Sequence, residues 1–253
     1  MKTVAVLIGL LVGSTAAVWA SEDGKTWDAS DEAKQFVQDT IVLGMLASPY
    51  GTGWTEYEQL HLYFDRARES GITGHEMTLA AADMSFETLL EQHYHFRAAM
   101  AEQPENFLIV HETRDIEAAH VQGKTAVIWN SQTVTILNGD LKKMALLKDM
   151  GIKSMILAYN DVFRTGSGQL AAYNGNDIGL TSWGKSVIDE MVRFGILLDL
   201  SHTGSRTAND AMDYMESTYP GCSFRLHAFR ASGFVQERTE CDSAWLLSSH
   251  SRR

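Results

Sequence analysis

Residues 179–202 read GLTSWGKSVIDEMVRFGILLDLSH, and this stretch decides the fold class. Thr181 is a good helix N-cap residue, and apolar residues recur every three or four positions behind it until Gly195. The next five residues, Ile196-Leu-Leu-Asp-Leu200, form an almost continuous apolar run, which is typical of a strand buried on both faces of a sheet. A helix followed directly by such a strand predicts a parallel α/β architecture.

The same alternation extends upstream along the chain. We predict six strands by residue 200, at 41–45, 77–80, 107–110, 126–129, 154–158 and 196–200. A (β/α)8 barrel of the TIM type fits this pattern and a length of 253 residues, with an active site at the carboxyl ends of the strands. A doubly wound open sheet stays the alternative, although no Gly-x-Gly-x-x-Gly turn follows any of the strands.

The composition excludes several classes of protein. Hydrophobic residues make up 45% of the chain, and 32 acidic residues against 21 basic ones give a net charge of -11. Non-specific nucleic-acid binding needs clustered Lys and Arg, so we expect no nucleic-acid partner. A mean hydropathy of -0.15 excludes a polytopic membrane protein.

The amino terminus has the pattern of an export signal. Lys2 is followed by an apolar run at 4–12, and Val18 and Ala20 stand at −3 and −1 of a cleavage point before Ser21. We therefore predict a signal peptide at 1–20 and a mature chain in the periplasm, with no membrane span after cleavage. An uncleaved anchor is the alternative, but the run is shorter than the ~20 residues that a span needs.

Metal-binding and substrate-binding residues are expected at the carboxyl ends of the strands. His202 comes directly after the run at 196–200 and can present an imidazole to a metal. Tyr159-Asn160 follows another predicted strand and either binds substrate or forms an ordinary polar turn. His93 and His95 are two residues apart on a predicted helix, so they point to different faces, and we predict both to be solvent-exposed.

The opening stretch contains two recognisable motifs, Gly179-Leu-Thr181 and Asp199-Leu-Ser-His202. Between them lie the apolar residues Val187, Ile188 and Met191. Together they resemble the membrane (renal) dipeptidase family, peptidase family M19, over roughly residues 38–221. The resemblance implies a metallo-dependent hydrolase-like (β/α)8 barrel that holds two zinc ions bridged by a glutamate. It also implies a zinc-bound hydroxide that attacks a dipeptide, so a dipeptide or small peptide is the expected partner.

The family's metal ligands carry over poorly to this chain. His202 matches one metal histidine, but Leu46 and Ser48 stand at the positions of the family's His-x-Asp ligands. Gln132 replaces the bridging glutamate, and a neutral amide cannot bridge two cations as a carboxylate does. Zinc is therefore doubtful here, and whether the chain is an enzyme stays open.

A predicted substrate-binding position also differs from the family. Tyr159, followed by Asn160, replaces a substrate-site histidine. We expect a divergent branch that is inactive as this chain. The alternative is a non-catalytic periplasmic peptide-binding or maturation protein on the same fold. The sequence does not define the oligomeric state.

Residues 222–253 differ from the rest of the chain. This tail has five Arg against three acidic residues and contains both cysteines, Cys222 and Cys241. Read one nucleotide later with suitable codons, it would encode the family's next strand and its metal-binding His-Ser. We therefore expect residues 21–221 to form a partial barrel of about six of eight units, and 222–253 to be an aberrant tail from a shifted reading frame.

Overall fold

A computed structural model describes residues 29–47, 68–222 and 224–225. The predicted signal peptide at 1–20, Ser48 at a family ligand position, and residues 226–253 of the predicted tail lie outside the described residues. Within the described ranges no helix is both long and apolar enough to cross a membrane.

Nine strands are present in the described residues, and seven of them form one parallel sheet. In chain order the strands are β1 (Leu43–Ala47), β2 (Gly74–Ala80), β3 (Phe107–Ile109), β4 (Thr125–Ser131), β5 (Ile152–Ile156), β6 (Val162–Phe163), β7 (Gly166–Ser167), β8 (Leu197–Asp199) and β9 (Phe224–Arg225). The two outside the main sheet, β6 and β7, form an antiparallel hairpin.

The order of strands in the sheet identifies the architecture. Six strands follow the path β1-β2-β4-β5-β8-β9, and β3 pairs with the first half of β4 beside this path. Chain order and spatial order never reverse along the path, whereas a doubly wound sheet reverses at a switch point. The sheet is therefore an incomplete parallel barrel of the (β/α)8 type. All six predicted strands overlap observed ones, so the predicted fold class is confirmed.

Seven helices accompany these strands among the described residues: α1 (Asp31–Asp39), α2 (Phe86–Ala101), α3 (Thr113–Gln122), α4 (Lys143–Asp149), α5 (Gln169–Tyr173), α6 (Ser182–Phe194) and α7 (Ser205–Thr218). The helix predicted in the opening stretch is α6. Its N-cap Thr181 accepts a hydrogen bond from the Gly184 N–H at 3.0 Å, and it ends at Gly195 with φ of 64°. Glycine adopts this left-handed conformation readily because it has no Cβ, so α6 ends at the glycine that the sequence predicts.

The two faces of the sheet differ in chemistry. One face carries Met77, Trp129, Met155 and Leu198, which are at most 2% exposed and pack against apolar side chains of α2, α4 and α6. Burying each such side chain stabilises the fold by about 1.5–3 kcal/mol. We call the opposite face, which turns away from those helices, the inner face.

The prediction for His93 is wrong, whereas His95 is exposed as predicted. The His93 ring is half-buried and stands edge-on to Trp129, with 6.5 Å between the ring centroids. On α2 it lies one turn from Leu89 and one turn from Phe96, both of which face the sheet. The apolar stripe of a surface helix covers three to four of every seven positions, so a histidine that falls within the stripe is partly buried. Burial, with a smaller contribution from Arg97, lowers its pKa.

Candidate functional site

The site begins with the turn that follows β8. Asp199 is 2% exposed, and its Oδ1 accepts hydrogen bonds from the Ser201 N–H at 2.8 Å and the Ser201 Oγ at 2.6 Å. An aspartate that bonds the backbone two residues ahead forms an Asx turn. This turn stops β8 and projects the following residue, His202, from the carboxyl end of the sheet.

His202 has an uncommon backbone conformation that several contacts hold in place. Its φ is 58°, a left-handed value that few residues other than glycine adopt. Its carbonyl oxygen accepts hydrogen bonds from the N–H groups of Gln169 at 2.6 Å and Asn160 at 3.4 Å. Strained conformations persist only where surrounding structure imposes them, and they cluster at functional sites.

The imidazole of His202 lies against Tyr159 and Asn160, which stand a few residues after the end of β5. The Tyr159 ring stacks on it, with 4.1 Å between centroids and 19° between planes. His202 Nδ1 is 3.2 Å from Asn160 Oδ1. With the amide oxygen assigned to this position, Nδ1–H donates and Nε2 carries the lone pair. Burial lowers the pKa of His202, and the Asp199 carboxylate opposes that shift only in part. The neutral ring can therefore act as a base or a ligand through Nε2.

The loop between β5 and α6 encloses this pair. A Cβ on Gly168 would lie 2.1 Å from the backbone N of Asn160, so only glycine permits this close approach. The Gly168 N–H donates to the Asp161 carbonyl at 2.7 Å, and the Ser167 carbonyl accepts from the Gly204 N–H at 2.8 Å. The first bond closes the hairpin of β6 and β7, and the second fastens the hairpin to the residues that follow His202.

Asp177, in the same loop, holds the start of α7. Its Oδ2 accepts from the Arg206 N–H at 2.8 Å, and its Oδ1 accepts from the Thr207 Oγ1 at 2.7 Å. The N-cap residue of α7 is Gly204, which has no side chain to bond these groups. No local pattern reveals this role for Asp177, because its partners are about 30 residues further along the chain.

Residues 39–220 of this chain match the sequence pattern of the membrane dipeptidase family (peptidase family M19). The chain belongs to this family. The resemblance found in the sequence is therefore confirmed, and the matched segment includes β1, the Tyr159-Asn160 pair and the His202 turn.

Solved structures agree on the fold. An amidohydrolase from Pseudomonas aeruginosa is 23% identical, with a TM-score of 0.63 over 71% of this chain and 51% of that one. The probable dipeptidase PvdM from the same organism is 13% identical, with a TM-score of 0.59 over 72% and 52%. A metallopeptidase from Rhodobacter sphaeroides, bound to a phosphinate mimic of the dipeptide L-Ala-D-Ala, is 16% identical, with a TM-score of 0.52 over 59% and 52%. This chain spans about half the length of each of these proteins.

Leu46 and Gln132, which the resemblance predicts to replace family ligands, lie at the same end of the sheet as His202. Leu46 is the next-to-last residue of β1 and is 56% exposed. Gln132 follows β4 directly and is half-buried, and its backbone N–H donates to the Ala80 carbonyl at 2.8 Å. Ser48 lies outside the described residues. The structure thus brings together His202, Tyr159 and Asn160, and it shows no side-chain hydrogen bond from Gln132 to any of these three.

The described residues do not fit a pair of zinc ions. Among them, no three His, Cys, Asp or Glu side chains come together as metal ligands do. His202 offers one imidazole nitrogen, while Leu46 has no donor atom. The nearest polar partners of His202 are a phenol ring and an amide, which are poor ligands for zinc.

Proposed function

We propose that this chain is an exported protein of the membrane dipeptidase family that does not hydrolyse dipeptides. The observation that carries the proposal is the surroundings of His202, whose ring lies against Tyr159 and Asn160, while the described residues contain no group of three His, Cys, Asp or Glu side chains that could hold a metal. Leu46 and Gln132 stand where the family resemblance places a histidine and the bridging glutamate.

The chemistry of the family explains why these substitutions matter. A zinc ion makes a nucleophile at neutral pH by lowering the pKa of its bound water, and this requires firm attachment through anionic or imidazole ligands. An aliphatic side chain at 46 supplies no ligand. A neutral amide at 132 supplies no charge to hold two cations close together. One histidine alone binds zinc weakly.

The test measures the zinc content of the purified chain and, in parallel, its rate of dipeptide hydrolysis. We expect substoichiometric zinc after dialysis and no cleavage of L-Ala-D-Ala above background. The matched variant restores the family ligands with Leu46→His, Ser48→Asp and Gln132→Glu, and it should bind more zinc than the native chain. Stoichiometric binding of two zinc ions by the native chain, abolished by His202→Ala, would contradict the proposal.

A second candidate is peptide binding without catalysis, through the same end of the sheet. The observation that favours it is on α5, whose first N–H bonds the His202 carbonyl. Leu170 and Tyr173 on this short helix are 54% and 86% exposed. Together with the Tyr159 ring, which stacks on the imidazole, they offer apolar and aromatic surface that suits the side chains of a small peptide.

Peptide binding is tested by titrating a phosphinate mimic of L-Ala-D-Ala into the zinc-free chain. If the second candidate holds, Tyr173→Ala weakens the measured affinity at least several-fold. Val121→Ala is the matched control, because Val121 is also 86% exposed but lies on α3, at the opposite end of the strands. No detectable binding, or equal effects of both variants, would exclude this candidate.

Export is tested separately. The apolar run at 4–12 and the small residues at 18 and 20 support cleavage after Ala20. Amino-terminal sequencing of protein recovered from the periplasm should begin at Ser21. A chain that begins at Met1 and stays in the membrane fraction would contradict export in this form.

A further inference from the structure

A row of oxygen-bearing side chains crosses the inner face of the sheet. Thr78 on β2 is the register partner of Asn130 on β4, and Asn130 is the register partner of Ser154 on β5. Register partners on parallel strands point to the same face, about 4.8 Å apart. The three side chains therefore lie next to one another in one layer of the barrel interior.

A carboxylate joins this row. Ser154 Oγ donates a hydrogen bond to Glu76 Oε1 at 2.5 Å. Glu76 belongs to β2 and Ser154 to β5, and β4 lies between them. The bond therefore brings the Glu76 carboxylate across β4 to the neighbourhood of Asn130. All four side chains are almost fully buried, since Thr78 is 0%, Glu76 2%, Ser154 2% and Asn130 3% exposed.

Two oxygen atoms of the row are buried without hydrogen bonds. Neither Thr78 Oγ1 nor Asn130 Oδ1 has a hydrogen-bond partner in the ranges that the structure describes. Buried polar atoms are nearly always bonded to protein, water or an ion, so each exception needs an explanation. Both side chains lie on the inner face, where the Glu76 carboxylate reaches across β4 to Ser154.

We propose that Glu76, Thr78, Asn130 and Ser154 bind a monovalent alkali cation on the inner face. All four offer oxygen ligands, which hard cations prefer. The row contains a single carboxylate, whereas a protein site for a divalent ion usually includes more carboxylates. Zinc prefers nitrogen and sulfur ligands, which the row lacks. A bound cation would satisfy the unbonded oxygens of Thr78 and Asn130 at once.

The test compares thermal unfolding of the full chain in sodium, potassium and tetramethylammonium chloride at equal ionic strength. Tetramethylammonium is much larger than sodium or potassium and has no bare charge for oxygen ligands to coordinate, but it screens charge equally. We expect Tm to be several degrees higher in sodium or potassium. The isosteric variant Thr78→Val should remove this difference and should not raise Tm.

Two further measurements separate binding from general destabilisation. Thr165→Val is the matched control, because Thr165 is 0% exposed but bonds the Leu157 carbonyl, outside the row. It should lower Tm and leave the cation dependence intact. In sodium-23 NMR, the native chain should broaden the sodium line and Thr78→Val should not.

Three results would overturn the proposal. The first is a native Tm that is equal in the three salts, which would leave water as the occupant of the row. The second is a Thr78→Val variant that is more stable than the native chain, as expected when an unbonded hydroxyl is simply replaced by a methyl group. The third is equal sodium line broadening by both chains.

Discussion

At the scale of single residues, the site depends on how one imidazole is held. Tyr159 covers one side of the His202 ring, and Asn160 is bonded to Nδ1. Burial keeps the ring neutral by lowering its pKa, since the nearby Asp199 carboxylate would by itself raise it. The left-handed backbone at 202 is held by the hydrogen bonds that its carbonyl oxygen accepts from the N–H groups of Gln169 and Asn160.

The first prediction concerns the stacked ring. Tyr159→Ala should raise the pKa of His202 toward its ordinary value, because removing the ring admits water to the imidazole. The measurement is an NMR titration of the His202 ring protons. Tyr159→Phe keeps the ring and should keep the lowered pKa. An unchanged pKa in Tyr159→Ala would show that other groups bury the imidazole.

The second prediction concerns Lys153 on β5. Burial, assisted by Lys148, lowers its pKa to about 8, although Asp115 and Glu112 oppose the shift. Its Nζ donates to the His111 carbonyl at 2.8 Å. In the unfolded chain the amine has its ordinary pKa near 10.4, so folding becomes more favourable as pH rises from about 8 toward that value.

The variant Lys153→Met tests this linkage. It should raise the free energy of unfolding at pH 7, where the native amine must be charged in a half-buried position. The gain should shrink as pH rises above 8 in urea-unfolding series. Lys142→Met, at an exposed lysine, is the control and should change little at any pH. A gain that is constant from pH 7 to pH 10 would contradict the assignment.

At the scale of elements, the start of α7 is stabilised from another part of the chain. Helix N-termini leave backbone N–H groups unbonded, and Asp177 bonds those of Arg206 and Thr207 in place of a local cap. Its negative charge is also favourable at the positive end of the helix dipole. The same contact fixes the loop that encloses His202.

The third prediction follows from that contact. Asp177→Ala should lower the free energy of unfolding by about 1–2 kcal/mol, the usual effect of losing an N-cap. Asp177→Asn keeps an acceptor and should cost less. Asp213→Ala, at an exposed position on the same helix, is the control and should change stability by no more than about 0.5 kcal/mol. Equal effects at 177 and 213 would exclude the capping role.

At the scale of the whole molecule, β1 is an edge of the sheet in the described residues, where it pairs with β2 alone. Met45 and Leu46 on this strand are 39% and 56% exposed. An exposed apolar edge strand is a template for pairing with a second chain. The edge therefore favours association of the protein at high concentration.

The fourth prediction uses a charge to block that edge. Leu46→Lys should slow aggregation, measured by light scattering during incubation at high protein concentration, with little change in Tm. Leu90→Lys is the matched control, because Leu90 is 46% exposed but lies on α2. If both variants slow aggregation equally, the cause is net charge and not the edge of β1.

Local patterns in the sequence determined most of the fold. The apolar runs predicted six strands, and Thr181 and Gly195 marked the ends of α6, because caps and buried strands depend on residues within a few positions of one another. The Gly-Leu-Thr and Asp-Leu-Ser-His motifs also identified the family.

Only the tertiary structure decided how the site is assembled. It places Tyr159 and Asn160 on His202 and Asp177 on α7, and it carries the Glu76 carboxylate to Ser154 across a strand. It also leaves His93 half-buried, whereas the sequence alone predicts it to be exposed. These contacts join residues that are far apart in the chain, and their geometry depends on strand register and helix packing, which no local spacing specifies.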